Sequence, residues 1–172
     1  MVDTLSLRYW PDPVLNKKCA EVPEVTDEIR AVAKGMLDIM YKQGGIGLAA
    51  PQVGRLIRMI VVDVWWPKTG ARNPRVFINP LLTLGEEKER AREGCLSLPG
   101  ITDFVTRSKS VQVHALDEHG KPVMQHADGL LAVCLQHECE HLDGITLVEH
   151  MGRANRRILK KQMQSKRPPR PV

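Results

Sequence analysis

The sequence predicts an α+β fold: short mixed or antiparallel sheets around one central helix, with an N-terminal helix before them and a basic helix at the C-terminal end. Three observations predict it. Apolar residues recur at helical spacing over 26–42, in short strand-like runs between 58 and 127, and in a helical run after Asp128 that carries His137, Glu138 and His141. There is no repeat and no long linker, so the order is helix, several strands, helix, basic helix. The 172 residues suit one domain, 1–172, with a core large enough to be stable alone.

The first helix is expected over about 26–42. Thr26 can cap it, Asp27 and Glu28 suit its positive end, and Ile29, Val32, Ala33, Met36, Leu37 and Met40 form one apolar face. Met36 and Met40 are therefore core residues. Strands are expected at 58–64, 75–79, 89–95, 110–116 and 121–127, with a turn at Asp117 to Gly120 between the last two. In the central helix, Asp128 is the candidate N-cap, Leu131, Val133, Cys134 and Leu135 give an apolar approach, and Gly144 is the stop signal. The last helix is expected over about 152–165, with a narrow stripe of Ile158, Leu159 and Met163. Pro168, Pro169 and Pro171 forbid helix beyond it, so 166–172 reads as a frayed basic tail.

The central helix carries the chemistry. Residues four apart on a helix lie about 40° apart in angle and roughly 6 Å apart in height, so His137 and His141 can grip one metal ion. Glu138 then lies beside the open coordination position. A solvated face with two idle histidines is the bland alternative. The apolar approach argues against it, because buried imidazoles and a carboxylate need partners.

A catalytic site of this kind wants a third protein ligand. Leu147 stands where the downstream histidine of a metzincin pattern would be, and Glu149 is a weaker candidate close by. Upstream, Cys95 follows Gly94, which would let the backbone bring the thiol close to another element. From that string alone, Cys95 serves equally as a ligand or as a small core residue. The string at 44–54, with Gly44, Gly45, Gly47 and Gly54, is too glycine-rich for a stable helix. It can lie as extended backbone against a ligand with Gln52 aimed inward, or simply turn into the strand at 59–64.

Three strings together resemble the peptide deformylase family: Gly45 to Gln52 (GIGLAAPQ), Glu93 to Ser97 (EGCLS) and His137 to His141 (HECEH), in the family's order. The resemblance extends from Pro11-Asp12-Pro13-Val14-Leu15 to Leu142-Asp143-Gly144-Ile145. It implies a metal held by Cys95, His137 and His141, with Glu138 as general acid and base. It also implies an oxyanion site made by the Leu96 N–H and the Gln52 amide, with Glu93 supporting the ligands. Two departures are visible. Glu140 stands where the family usually has Asp, and Cys139 where a larger apolar residue is usual. The family's Asp pairs with an arginine, here Arg107, and the longer Glu140 is expected to reach it.

The implied reaction removes the formyl group from the N-terminal formyl-methionine of new polypeptides and releases formate. The implied methionine slot is walled by Ile46, Leu130, Val133, Cys134 and the His137 ring, with the Gly47 backbone and the edge around Gly100 holding the peptide as an added strand. Cys/His/His ligation alone suggests Zn2+. The resemblance implies Fe2+ natively, with Ni2+ or Co2+ as substitutes. After EGCLS the family often has polar residues, whereas this chain has Leu98-Pro99-Gly100-Ile101-Thr102, which leaves its preferences beyond methionine open.

Net charge is +5, but the eight basic and no acidic residues of 153–172 leave the remainder at −3. The basic character belongs to the tail, either as a solvated helix or as an electrostatic contact with ribosomal RNA. Charges and prolines interrupt the first twenty residues, and no apolar run reaches membrane-spanning length. The four cysteines lack disulfide-framework spacing, and a thiolate ligand must stay reduced, so a cytoplasmic location without membrane contact is expected. The rivals are a small zinc protease, a ribosome-binding module with a structural metal, and an enzyme for another N-formyl compound.

Overall fold

A computed structural model describes residues 5–165. The expected 166–172 tail lies outside the described residues. Helix α1 (Asp27–Lys42) follows Thr26, whose hydroxyl accepts from Ile29 N at 3.4 Å. It buries Val32, Ala33, Met36 and Met40, as its periodicity requires. The glycine-rich string becomes strand β1 (Gly47–Ala49) and a 3-10 turn over Ala50–Val53. Strand β2 (Met59–Val62) is followed by a single helical turn, α2 (Trp66–Thr69), and by strand β3 (Arg75–Leu84). A hairpin of β4 (Lys88–Cys95) and β5 (Leu98–Ser108) comes next, then β6 (Ser110–Leu116) and β7 (Pro122–Asp128). The chain closes on α3 (Gly129–Leu142), the short α4 (Leu147–His150) and α5 (Arg153–Ser165).

One sheet has the strand order β1-β2-β3-β6-β7 and the other is the β4-β5 hairpin; every strand pairing is antiparallel. Strand β2 is apolar throughout because both its faces are covered. Ile60 and Val62 pack with Phe77, Val111, Ala132 and Leu135 on the α3 side. Met59 and Val61 pack with Met36, Met40 and Ile78 on the α1 side. A third cluster joins the hairpin residues Leu98 and Val105 to Leu147, Val148, Met151 and Leu159 of the C-terminal segment. Leu159 is buried and Met163 packs beside it, but Ile158 is 54 % exposed and falls outside the stripe.

Strand β3 runs five residues past its expected end. A bulge between Ile78 and Leu81 accommodates Pro80, which cannot donate to a ladder. Asn79, at φ 52°, holds the bulge from its side chain: its amide accepts from Val22 N and donates to Val22 O, both at 2.8 Å. Strand β5 was not expected, because Pro99, Gly100 and alternate exposed polar residues hide its pattern. Asp128 occupies the N-cap position of α3, yet its side chain makes no capping hydrogen bond. Glu149, the weaker ligand candidate, instead closes a capping box on Thr146, accepting from its N–H at 2.7 Å and its hydroxyl at 2.6 Å.

Gly144 ends the α3 segment at φ +75°, and an added Cβ would lie 2.7 Å from the Asn16 carbonyl oxygen. Both the left-handed backbone and the rigid neighbour oppose a side chain. Gly144→Ala is expected to lower stability by at least about 1–2 kcal/mol. The check is a lower urea midpoint with an unchanged slope.

Candidate metal centre

Helix α3 passes through the protein interior, and its polar residues are buried with its apolar ones. Gln136, His137, Glu138 and His141 are all buried. Gln136 is fully engaged: its amide accepts from Ser108 N and donates to Ser108 O, each at 2.9 Å, and donates to Ala132 O at 3.0 Å. It ties α3 to the end of β5. His137 and His141, one turn apart, have ring centroids 5.0 Å apart. The Cys95 sulfur lies 3.4 Å from His141 Nε2, and the donor atoms of Cys95, His137 and His141 all lie within 4.8 Å of one another.

Cys95 reaches the histidines because the β4–β5 register shifts between Gly94 and Cys95. The missing side chain of Gly94 is not what permits the approach. A Cβ there would meet nothing nearer than 3.5 Å, an ordinary contact. The close approaches are at Gly45, where a Cβ would lie 2.7 Å from Leu96 Cδ1, and at Gly47, where it would lie 2.6 Å from both Cys134 Sγ and Glu138 Oε1.

Strand alternation puts Glu93 on the same side of β4 as Cys95. Glu93 Oε2 accepts from His137 Nδ1 at 2.8 Å, so that ring presents Nε2 as its lone-pair nitrogen. Arg107 clamps the same carboxylate through Nε (2.6 Å) and Nη2 (3.0 Å), and donates from Nη1 to Glu140 Oε1 at 2.7 Å. Glu140 Oε2 is in turn 2.8 Å from His150 Nε2. Burial alone would raise the Glu93 pKa; the hydrogen bonds from Arg107 and His137 outweigh it and hold the carboxyl down at about 2.

Glu138 has no such partner. Burial pushes its carboxyl up to about 7. Its Oε2, like His141 Nδ1, is buried with no hydrogen-bond partner among the described residues. Buried polar atoms are rarely left so. A soft sulfur donor, two imidazoles and an adjacent carboxylate with an unpartnered oxygen fit a divalent metal with an open position, with Cys95, His137 and His141 as the candidate holders. Burial also pushes the Cys139 thiol up to about 12 and that of Cys19 to about 11, so neither behaves as a thiolate at neutral pH.

The centre opens into a cleft of about 800 Å3. One wall is the Gln43–Gly47 backbone and the other is the turn after Cys95 and the start of β5. Ile46, Gly47, Leu96, His137 and Glu138 line it. Gln52 is buried behind Cys95: its Oε1 accepts from Ala49 N at 2.8 Å, and its Nε2 lies 3.1 Å from Ser97 Oγ and 3.5 Å from Cys95 Sγ. Leu130, Val133 and Cys134 are not among the cleft-lining residues. Leu130 is 43 % exposed on the first turn of α3, while Val133 and Cys134 are buried, with Cys134 Sγ 3.7 Å from the Ile46 carbonyl.

The sequence reading missed Tyr9, Arg92 and Met163 on the cleft, and Trp66, whose indole N–H holds the Gly45 carbonyl at 2.9 Å. Tyr9 arrives through long-range backbone bonds, Arg8 N to Gln52 O (2.7 Å) and Trp10 N to Ser97 O (3.0 Å), which leave no local signal. Arg92 did leave one, since it alternates with Glu93 along β4.

Removing Arg107 would strand Glu93 in the interior beside a candidate metal ligand. Arg107→Leu is expected to cost about 3–5 kcal/mol of stability, read by denaturant unfolding. Metal affinity should fall about 10- to 100-fold, read by competition with a chelator. A variant matching the parent in both would show that the clamp is dispensable.

Residues 4–157 match the sequence profile of the family described as polypeptide deformylase. A peptide deformylase of Alkalilimnicola ehrlichii is 42 % identical over 160 residues, covering 93 % of this chain and 89 % of that one. A peptide deformylase of Psychrobacter cryohalolentis is 45 % identical over 150 residues, 87 % of this chain and 80 % of the relative. The crystal structure of the Ehrlichia chaffeensis peptide deformylase in complex with actinonin superposes with a TM-score of 0.89 at 34 % identity, covering 96 % and 99 % of the two chains. Sequence and fold agree along nearly the whole length, through every strand and helix that supplies a residue to the centre, and on that ground the chain belongs to the polypeptide deformylase family.

Proposed function

We propose that residues 1–172 act as one catalytic domain, a metal-dependent hydrolase that removes the formyl group from N-formyl-methionyl peptides. The observation that carries this reading is the unpartnered, buried carboxylate of Glu138 beside the Cys95/His137/His141 donor cage, at the inner end of a cleft walled by glycine backbone. The native metal in this reading is Fe2+, with Zn2+, Ni2+ or Co2+ as substitutes; a cysteine ligand beside ferrous iron makes the centre oxygen-sensitive. When bound, the metal supplies Lewis acidity and a water of lowered pKa.

The chain's own residues do the rest. Water adds to the formyl carbon, and Glu138 takes its proton. The oxygen that becomes negative is received by the Leu96 N–H and by Gln52 Nε2, whose orientation is fixed because its Oε1 is already committed to Ala49 N. The carbon–nitrogen bond breaks, Glu138 returns the proton to the leaving amine, and formate and a free N-terminus depart. A divalent cation on the neighbouring ligands favours the ionised form of Glu138 and offsets the effect of burial. In this reading the methionine side chain lies against Ile46 and the His137 ring, which line the cleft, and points toward the first turns of α3, where Leu130, Val133 and Cys134 stand outside the lining.

Among the described residues, no helix is long and apolar enough to cross a membrane. The substrate is a newly made chain, which places the work in the cytoplasm. Arg153, Arg157, Lys160 and Lys161 are exposed on α5, and with the basic residues beyond it they suit an electrostatic contact with ribosomal RNA. Co-sedimentation with ribosomes should weaken steeply with salt and be lost when 153–172 is removed. Binding that survives both changes argues against this contact.

The direct test is formate release from formyl-Met-Ala-Ser by anaerobically prepared, iron- or nickel-loaded protein. Release is expected from the formyl peptide and not from its acetyl counterpart. Glu138→Ala should keep the metal and lose turnover, whereas Cys95→Ala should lose both. Gln52→Ala should lower kcat by about 100- to 1,000-fold. Leu130→Ala should raise KM. An active Glu138→Ala enzyme would refute the assignment of the proton carrier.

A further inference from the structure

We infer that Arg92 makes this cleft favour substrates with an acidic side chain at one of the two positions following formyl-methionine. The inference rests on the deformylase reading and names the substrate class within it.

Strand β4 reads Lys-Glu-Arg-Ala-Arg-Glu-Gly-Cys. Its alternation sends Glu93 and Cys95 to the metal centre and leaves Arg90 and Arg92 on the opposite, exposed face. Because the cleft opens past the end of this strand, Arg92 comes to line its outer part together with Gly100, Ile101 and Thr102. It is the only lysine or arginine on the described lining. Glu138 is the only acidic one, and it sits at the inner end.

The guanidinium is held rather than free to sweep. Both Nε (3.2 Å) and Nη2 (3.1 Å) donate to Thr102 Oγ1. This leaves Nη1 and the second hydrogen of Nη2 available. No ion pair among the described residues includes Arg92. The nearby acids are committed elsewhere. Glu93 is clamped by Arg107, and Asp103 accepts from Asn155 Nδ2 at 2.9 Å and from Phe104 N at 2.7 Å. Arg90 stands behind on the same face with its guanidinium 5.0 Å from the centre of the Phe104 ring; its charge is felt by Asp103, which leaves Arg92 as the unpaired charge on the rim.

This positive rim does not come from general basicity, since the chain outside 153–172 is net negative. An arginine already oriented by a hydroxyl, with donors unspent and no acid of its own, suits a carboxylate better than an ammonium or an amide. The pair would be exposed and screened, so its effect on kcat/KM is modest, about three- to fivefold. It should also act largely through encounter and therefore weaken with salt.

The experiment compares kcat/KM for formate release from C-terminally amidated formyl-Met-Ala-Xaa and formyl-Met-Xaa-Ala peptides, with Xaa as Glu, Gln or Lys, using the metal-loaded enzyme. Amidation removes the terminal carboxylate, so only the side chain can supply the charge. The expected ranking at one of the two positions is Glu above Gln above Lys, compressed by added salt. Arg92→Glu should invert it and Arg92→Lys should keep its sign. A flat ranking in the parent enzyme, or one that is the same in Arg92→Glu, would overturn the inference and leave the deformylase reading intact. No release from any peptide, with metal verified in the protein, would overturn the deformylase reading and this inference with it.

Discussion

The Glu93 carboxylate is the point on which the site depends. It is buried, it is ionised, and it accepts from residues on two different elements: Arg107 on β5 and His137 on α3. An isolated carboxylate in the interior would be expelled or protonated. Held by a bidentate guanidinium, it can instead fix the tautomer of the His137 imidazole. The same clamp joins the β4–β5 hairpin to α3, so the strand that carries Cys95 cannot move independently of the helix that carries the histidines. The position of the thiol and the direction of the His137 lone pair are thus consequences of one ionic cluster.

That cluster also explains how α3 tolerates so many polar residues in the interior. Gln136 satisfies its amide on Ser108 and Ala132, and Glu93 satisfies the inner nitrogen of His137. Among the buried polar groups of α3, only Glu138 Oε2 and His141 Nδ1 lack a hydrogen-bond partner among the described residues. The folding energy comes from elsewhere, mainly from the apolar faces on either side of the five-stranded sheet. Outside the centre, only Arg8 Nε and Asp63 Oδ1 are buried side-chain atoms in the same unpartnered state among the described residues.

Much of this was legible in the sequence, for identifiable reasons. Helix α1 is a periodic amphipathic segment with a hydroxyl cap, and it lies where its pattern puts it. The spacing of His137 and His141 is a local property of a helix, so their partnership could be read directly. Cys95 could not be read with the same force, since a register shift in a hairpin brings it in and hairpin register has no signature in a single string. Strand β5, whose opening contains Pro99 and Gly100, looked like a loop, and β3 appeared to stop before Pro80 because the bulge is held by Asn79, a side-chain contact with a residue 57 positions away. Gly94 was expected to let the thiol approach, yet the close approaches near the centre are at Gly45, against the Leu96 side chain, and at Gly47, against Cys134 and Glu138.

The two ends of the cleft obey different physical rules. In the proposed reaction, the groups at the inner end that would meet the substrate are a backbone amide, a buried glutamine with a committed oxygen, and candidate ligands locked by a charged clamp. Few substitutions are tolerable there, because each residue also holds another residue's position. At the outer end the lining includes the exposed Arg92 on a two-stranded hairpin, whose replacement disturbs little else, beside the half-buried Met163 of α5. Chemistry should therefore be fixed by the fold, whereas selection among peptides can change by single residues. Differences between this chain and its relatives in what they process most efficiently are to be sought on that outer rim.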